Sequence, residues 1–214
     1  APIVLLFVGS FGQLWLNTLL PTGFTGRWYA AVAADPSFRR AFVSSLTVAG
    51  LVILLCLVVG LPLAYAVFRA DRPAVRALAR VIYQLPVALP ALVLAFGFIR
   101  VFSSDQLPWL GSIWLLVAGH LMLGLPYFLQ AVVADMQRLN LRLLETAAES
   151  LGANGRQRFF QIVLPSLRHS ILAGLIVVAA LSIGEFQFSN LVAGFLSRTY
   201  PVVLLQAFYG ATGF

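Results

Sequence analysis

Glu145–Pro165, ETAAESLGANGRQRFFQIVLP, is a polar island in an otherwise apolar chain, and the fold can be read outward from it. Just upstream, Asn140 is placed to cap a helix in which Leu141, Leu144, Ala148 and Leu151 fall at i, i+3, i+7 and i+10, on one helical face. Gly152 stands where a left-handed residue would end that helix. A second short helix is expected from about Gly155, carrying Phe159, Phe160 and Ile162, until Leu164-Pro165 turns the chain. Two short helices about a glycine make a compact knob. Ala147 and Ala148 keep one side of it thin, so another surface can approach its backbone closely.

The surroundings are those of a membrane protein. Of 214 residues, 61% are hydrophobic and 10% charged, with a mean hydropathy of +0.95. A soluble domain carries about 25% charged residues, so the composition points to a polytopic, all-α transmembrane bundle. All 14 basic residues are arginine. Without lysine there is neither a GxxxxGK[ST] phosphate loop nor a Schiff-base lysine, so if ATP drives this protein another chain binds it. Cys56, the single cysteine, excludes a disulfide within the chain. The net charge of +7 comes from arginines beside the apolar runs, which fits membrane flanks rather than nucleic acid.

About five spans are expected. The first covers 2–20 and is followed by a loop with a short interfacial helix, Arg27 to Ala34, bearing Trp28 and Tyr29. The second covers 41–68, kinked by Pro62 near its inner end. The third runs from Val81 to Phe102, bent by Pro86 and Pro90, which lie on one face. The fourth, Ser112 to Ala134, has Gly119, Gly124 and Pro126 for close packing. The fifth, Ser170 to Leu191, leads to a semi-polar tail. Loops 69–80 and 135–169 hold nine of the arginines and the opposite side holds five, which places the polar island in the cytoplasm.

The spacing of Ala147-Ala148, Gly152, Ile162 and Leu164-Pro165 resembles the cytoplasmic signature loop of permease subunits of type I binding-protein-dependent ABC importers. The first position of that pattern, usually Glu, is Thr146 here, with Glu145 immediately before it. Asp35-Pro36 with Phe38, Pro62-Leu63-Ala64-Tyr65, Leu85-Pro86 and Leu89-Pro90 also look like the family. The resemblance implies a single permease domain over 1–214, with 135–169 as its coupling loop. It also implies a further closing helix after the tail, so the chain is expected to lack its last helix. It implies that the chain carries no cofactor, with ATP and Mg on partner ATPase subunits. Other implied partners are a second permease (a copy or a paralogue), an extracytoplasmic solute-binding protein and the lipid of a bacterial-type inner membrane.

On this reading Leu144, Ala148 and Leu151 make buried contact with an ATPase, and Glu145 and Arg156 sit at the polar rim. Phe159 and Phe160 either join that contact or pack on the protein's own helix ends. Glu185 is the most unusual residue within a span, about fifteen residues into the fifth. A carboxylate at that depth costs about 2.5–3.5 kcal/mol, so it faces a cavity or a partner. It is either a path or gate residue or a hydrogen-bonded anchor where the helix breaks, and Gln187 and Asn190 share the alternative. His120 has no second ligand at metal-binding spacing and reads as a packed polar residue. The rival class is a secondary transporter or channel, which also uses broken helices but calls for repeated halves. A structural membrane subunit is the third.

Overall fold

The computed structural model describes residues 2–14 and 20–212. The described part of the first expected span, 2–20, is not a continuous helix. Helix α1, Pro2–Ser10, has 9 residues, about 13 Å at 1.5 Å per residue, against the ~30 Å of a bilayer core. Beyond Ser10 the chain forms a hairpin, β1 (Gly12–Leu14) pairing antiparallel with β2 (Thr22–Phe24). Residues 15–19 of that expected span lie outside the described residues. The apolar run is interrupted by Gly9, Ser10 and Gly12, and the returning strand uses Gly23 at φ 78. Trp28 Nε1 donates to Gly12 O at 2.9 Å, tying the hairpin to α2, Arg27–Ala34, which is the interfacial helix expected there.

Helix α3 runs from Pro36 to Arg69. It starts five residues earlier than the composition suggests, because Asp35 accepts hydrogen bonds from Ser37 N (2.7 Å) and Phe38 N (3.2 Å) and Pro36 occupies the first turn. Pro62 does not break it. A π turn over Cys56–Gly60 widens the preceding turn and takes up the missing donor.

The third span is two helices, α4 (Pro73–Ala88) and α5 (Ala91–Phe102), meeting at 97°. Pro86 sits inside α4, and the break falls at Leu89, whose extended backbone (φ −96, ψ 130) is what a following proline imposes. Arg76 and Arg80, expected in a loop, are therefore on α4.

Helix α6, Ile113–Arg138, is capped by Ser112 and forms the centre of the bundle. Leu115, Leu116, Phe128, Leu129, Val132 and Met136 are all buried. It packs against α3 and against α9, Arg168–Gly184. The close crossing depends on small residues: a Cβ on Gly124 would meet Val178 at 3.2 Å, and one on Gly174 would meet Phe128 at 3.0 Å.

Between α6 and α9 lie the two knob helices, α7 (Leu141–Ser150) and α8 (Gly155–Ser166); α8 is bent from α9 by 65°. The fifth span ends at Gly184, not Leu191. After Glu185 and Phe186 the chain restarts as α10, Gln187–Val192. The expected tail folds as α11, Tyr200–Thr212, against α3, with Tyr200 N donating to Ser45 Oγ at 2.8 Å.

Among the described residues, two helices are long and apolar enough to cross a membrane, or four if each bent pair counts as one span, where about five were expected. The two arginine groups sit at opposite ends. Arg142 Nη2 donates to Phe68 O (3.1 Å) and Ala70 O (3.3 Å), joining the 69–80 and 135–169 segments at one end. At the other, Gly111 bridges to Ala193, and Ser197 Oγ donates to Gly111 O at 2.8 Å.

Candidate functional site

The knob is built by two end motifs. Helix α7 stops in a Schellman turn: Gly152 N donates to Glu149 O (2.9 Å) and Ala153 N to Ala148 O (3.0 Å), with Gly152 at φ 84. Helix α8 opens with a capping box. Asn154 Oδ1 accepts from Gln157 N (2.9 Å), and Gln157 Oε1 accepts from Asn154 N (2.8 Å). An Arg158–Glu149 ion pair of 2.6 Å then clamps the two helices together. Asn140 departs from expectation. It is left-handed, φ 47, with no side-chain capping bond, because the chain reverses there between α6 and α7.

The face expected to be continuous divides in two. Leu141 and Glu145 point inward, while Leu144 and Leu151 point out, at 43% and 89% exposure. Glu145 is therefore not a rim residue. It is buried, accepting a short hydrogen bond from Tyr65 Oη and lying 3.6 Å from Arg69 Nη1, which itself donates to Tyr65 Oη at 3.1 Å. Glu145, at the middle of α7, thus locks that helix to Tyr65 and Arg69 at the inner end of α3.

Thr146, at the position where the signature pattern has Glu, is exposed; its hydroxyl donates back to Arg142 O (2.9 Å), so it reaches nothing beyond its own helix. Ala147 is exposed and Ala148 half-buried. The paired phenylalanines also divide. Phe159 is half-buried and packs edge-on to Tyr65 (5.3 Å), whereas Phe160 is 55% exposed beside Arg156. Ile162 and Leu164 are half-buried and Pro165 exposed. The outward surface of the knob is thus Leu144, Ala147, Leu151, Gly152, Arg156 and Phe160.

A second polar group lies within the bundle. Glu185, in the break between α9 and α10, accepts from Phe188 N (2.7 Å), Ser189 N (2.8 Å) and Ser189 Oγ (2.7 Å). It caps α10, as the anchor reading expected. The Ser189 hydroxyl proton goes to Glu185, so the same oxygen accepts from His120 Nε2 at 2.9 Å. The other ring nitrogen, Nδ1, lies 2.8 Å from Ser182 Oγ. His120 is thus a buried, fully bonded polar residue that ties α6 to both sides of the break.

This group borders a cavity of about 570 Å³, lined by Pro86, Leu89, Tyr127, Phe186 and Gln187 among others. Pro86, Glu185 and Gln187 are brought together there. Pro90 and Asn190 are exposed and do not line it: Pro90 precedes α5 beyond the bend, and Asn190 lies one turn further along α10 than Gln187. The network of His120, Ser182 and Ser189 was not legible in the sequence: its members are 62 and 69 residues apart and carry no local pattern.

A helical bundle with broken spans around an internal cavity, bearing a rigid knob at its arginine-rich end, has the form of a membrane transport permease. Residues 57–212 match the family described as binding-protein-dependent transport system inner membrane component, and the chain belongs to that family, with the type I ABC importer permease fold. It is 27% identical over 96% of its length (76% of the relative) to PhnV of Salmonella typhimurium, a permease provisionally named for 2-aminoethylphosphonate transport. It is 30% identical over 75% of its length (63% of the relative) to the spermidine/putrescine permease PotB of Escherichia coli. The sulfate permease CysW of Synechococcus elongatus is 27% identical over 70% of the chain and 56% of that protein. Among solved structures, a bacterial ABC transporter importing the acidic polysaccharide alginate shares the fold, with a TM-score of 0.67 at 16% identity, over 98% of this chain and 78% of that one.

Proposed function

We propose that this permease couples ATP hydrolysis on separate cytoplasmic subunits to solute import, and that the 145–165 knob is the coupling element. ATP and Mg are bound by those subunits and not by this chain. The permease works in a bacterial-type inner membrane as a multi-pass protein, paired with a copy of itself or a paralogue, and takes solute from an external binding protein. One observation carries the reading. The knob is held internally by the Schellman turn, the capping box and the Glu145–Tyr65–Arg69 contact, yet presents Leu144, Leu151 and Phe160 to the outside.

A rigid apolar projection at the arginine-rich end suits a groove on a soluble partner. Because Glu145 is anchored to Tyr65 on α3, a push on the knob is passed directly to the longest helix of the bundle. Partner closure would then shift the helices between two arrangements about the cavity, with the Leu89 and Glu185 breaks absorbing the change in angle.

Gly152→Pro in the reconstituted complex tests this. Proline fixes φ near −65°, against the +84° at this position, and removes the N–H that bonds Glu149 O, a local cost of about 3 kcal/mol or more. ATPase stimulation is expected to fall at least about ten-fold while the permease still inserts and its spans remain folded. Unchanged stimulation would contradict the coupling role and move a transporter not driven by ATP to the front.

A further inference from the structure

A pocket of about 230 Å³ opens beside the knob at the arginine-rich end, between the last turn of α3, the first half of α4, the end of α6 and the start of α7. Its floor is apolar: Val67, Phe68, Val133 and Met136. Its mouth carries three guanidinium groups, Arg76, Arg80 and Arg142, together with Tyr83. Arg76, Arg80 and Tyr83 follow one another at i, i+4 and i+7 on a single face of α4.

No carboxylate lines the pocket. Arg142 is partly engaged, donating to Phe68 O and Ala70 O and lying 3.6 Å from Asp71. Arg76 and Arg80 meet no carboxylate among the described residues. Two unpaired guanidinium groups with a third beside them form an anion site.

The other face of α4 shows what surrounds it. Val75, Leu78, Val81, Ile82 and Leu85 are 48–62% exposed, an apolar stripe that water does not favour and acyl chains do. The arginines therefore stand where an amphipathic helix meets the membrane surface, at headgroup depth.

We propose that the Arg76–Arg80–Arg142 pocket binds the phosphate of an anionic phospholipid of the inner leaflet. The leaflet follows from the orientation set out under Proposed function; the pocket chemistry does not depend on the knob's role. Because the pocket wall includes Asn140 and Arg142, where α6 passes into α7, a bound lipid would brace the base of the knob against the membrane.

Native mass spectrometry of the assembled complex tests the proposal, after exchange into mixed phosphatidylglycerol and phosphatidylcholine of matched acyl chains. Retained phosphatidylglycerol is expected on the wild type. Retention should fall about five-fold for Arg76→Gln or Arg80→Gln and about twenty-five-fold for both. Arg72→Gln with Arg168→Gln removes the same charge at the same end but outside the pocket, and should leave retention unchanged.

Equal loss in that control, or equal retention of phosphatidylcholine, would overturn the pocket as a lipid site. Displacement of the lipid by millimolar inorganic phosphate would overturn it in favour of a soluble phosphate ligand. ATPase stimulation in the same samples separates the two readings, since loss of coupling with lipid retained bears on the knob alone.

Discussion

Gly119→Ala is expected to be among the most destabilising single-methyl additions in this protein. A Cβ at residue 119 would run into the ring of Phe188, which is fully buried. That ring cannot swing aside. It packs edge-on to Phe98 at 5.0 Å and beside His120, and its backbone N–H is held by Glu185. Overpacking of a filled core costs about 1–3 kcal/mol, and a clash against a clamped ring belongs at the upper end. The thermal midpoint in detergent should drop clearly for Gly119→Ala and recover most of the loss in Gly119→Ala/Phe188→Leu, where the ring is gone. An equal drop in the double variant would show that the ring is not what the methyl meets.

Glu185→Gln is expected to behave as a lost cap. The carboxylate accepts three hydrogen bonds, two of them from backbone N–H groups of the first turn of α10. An amide offers one acceptor oxygen and turns its NH2 toward a group that also donates, so about 2–3 kcal/mol of stability should go. If the amide NH2 faces Ser189, its hydroxyl loses the acceptor that orients it and His120 loses the resulting alignment; if it faces Phe188, the backbone bond to that N–H is lost instead. Thermal unfolding and solute uptake should therefore fall together. If uptake is lost at an unchanged midpoint, Glu185 acts on the solute and not as a cap.

These two expectations rest on features that differ in how far the sequence revealed them. The position of Glu185 is legible, because a carboxylate deep in an apolar run must find donors or a cavity. The loss of the fifth helix at Gly184 is less so, since Phe186 and Phe188 alternate with the polar residues and an apolar run resumes at Leu191, so the segment still reads as one span. Hydropathy measures the surroundings of a segment and says little about its backbone. For the same reason it reads 2–20 as a span where the chain makes a nine-residue helix and a hairpin; in the third span the two prolines announce the bend, but not its size of 97° or the start of α4 as early as Pro73.

The knob was more legible, because glycine at a helix end acts locally, although Leu164-Pro165, expected to turn the chain, lies inside α8, which runs on to Ser166 before the 65° bend. What periodicity missed there was the choice of face. Leu141, Leu144, Ala148 and Leu151 satisfy a helical stripe, but a stripe that wide has two edges, and Tyr65 and Arg69 of a distant helix decide which edge is buried. A charged residue, Glu145, takes the inner edge because Tyr65 donates a hydrogen bond to it and the Arg69 guanidinium lies 3.6 Å away. A leucine is left outside.

That outward leucine gives the most direct test. Leu151 is 89% exposed and follows the last residue of α7, so Leu151→Asp should leave the permease's own stability within about 0.5 kcal/mol of wild type. The measurement is the affinity of the purified permease for its ATPase subunits, wild type against Leu151→Asp, in the same detergent. If the knob seats in an ATPase groove, a buried charge at its tip should weaken association about thirty-fold or more. Unchanged affinity at unchanged stability would contradict the coupling role of this surface.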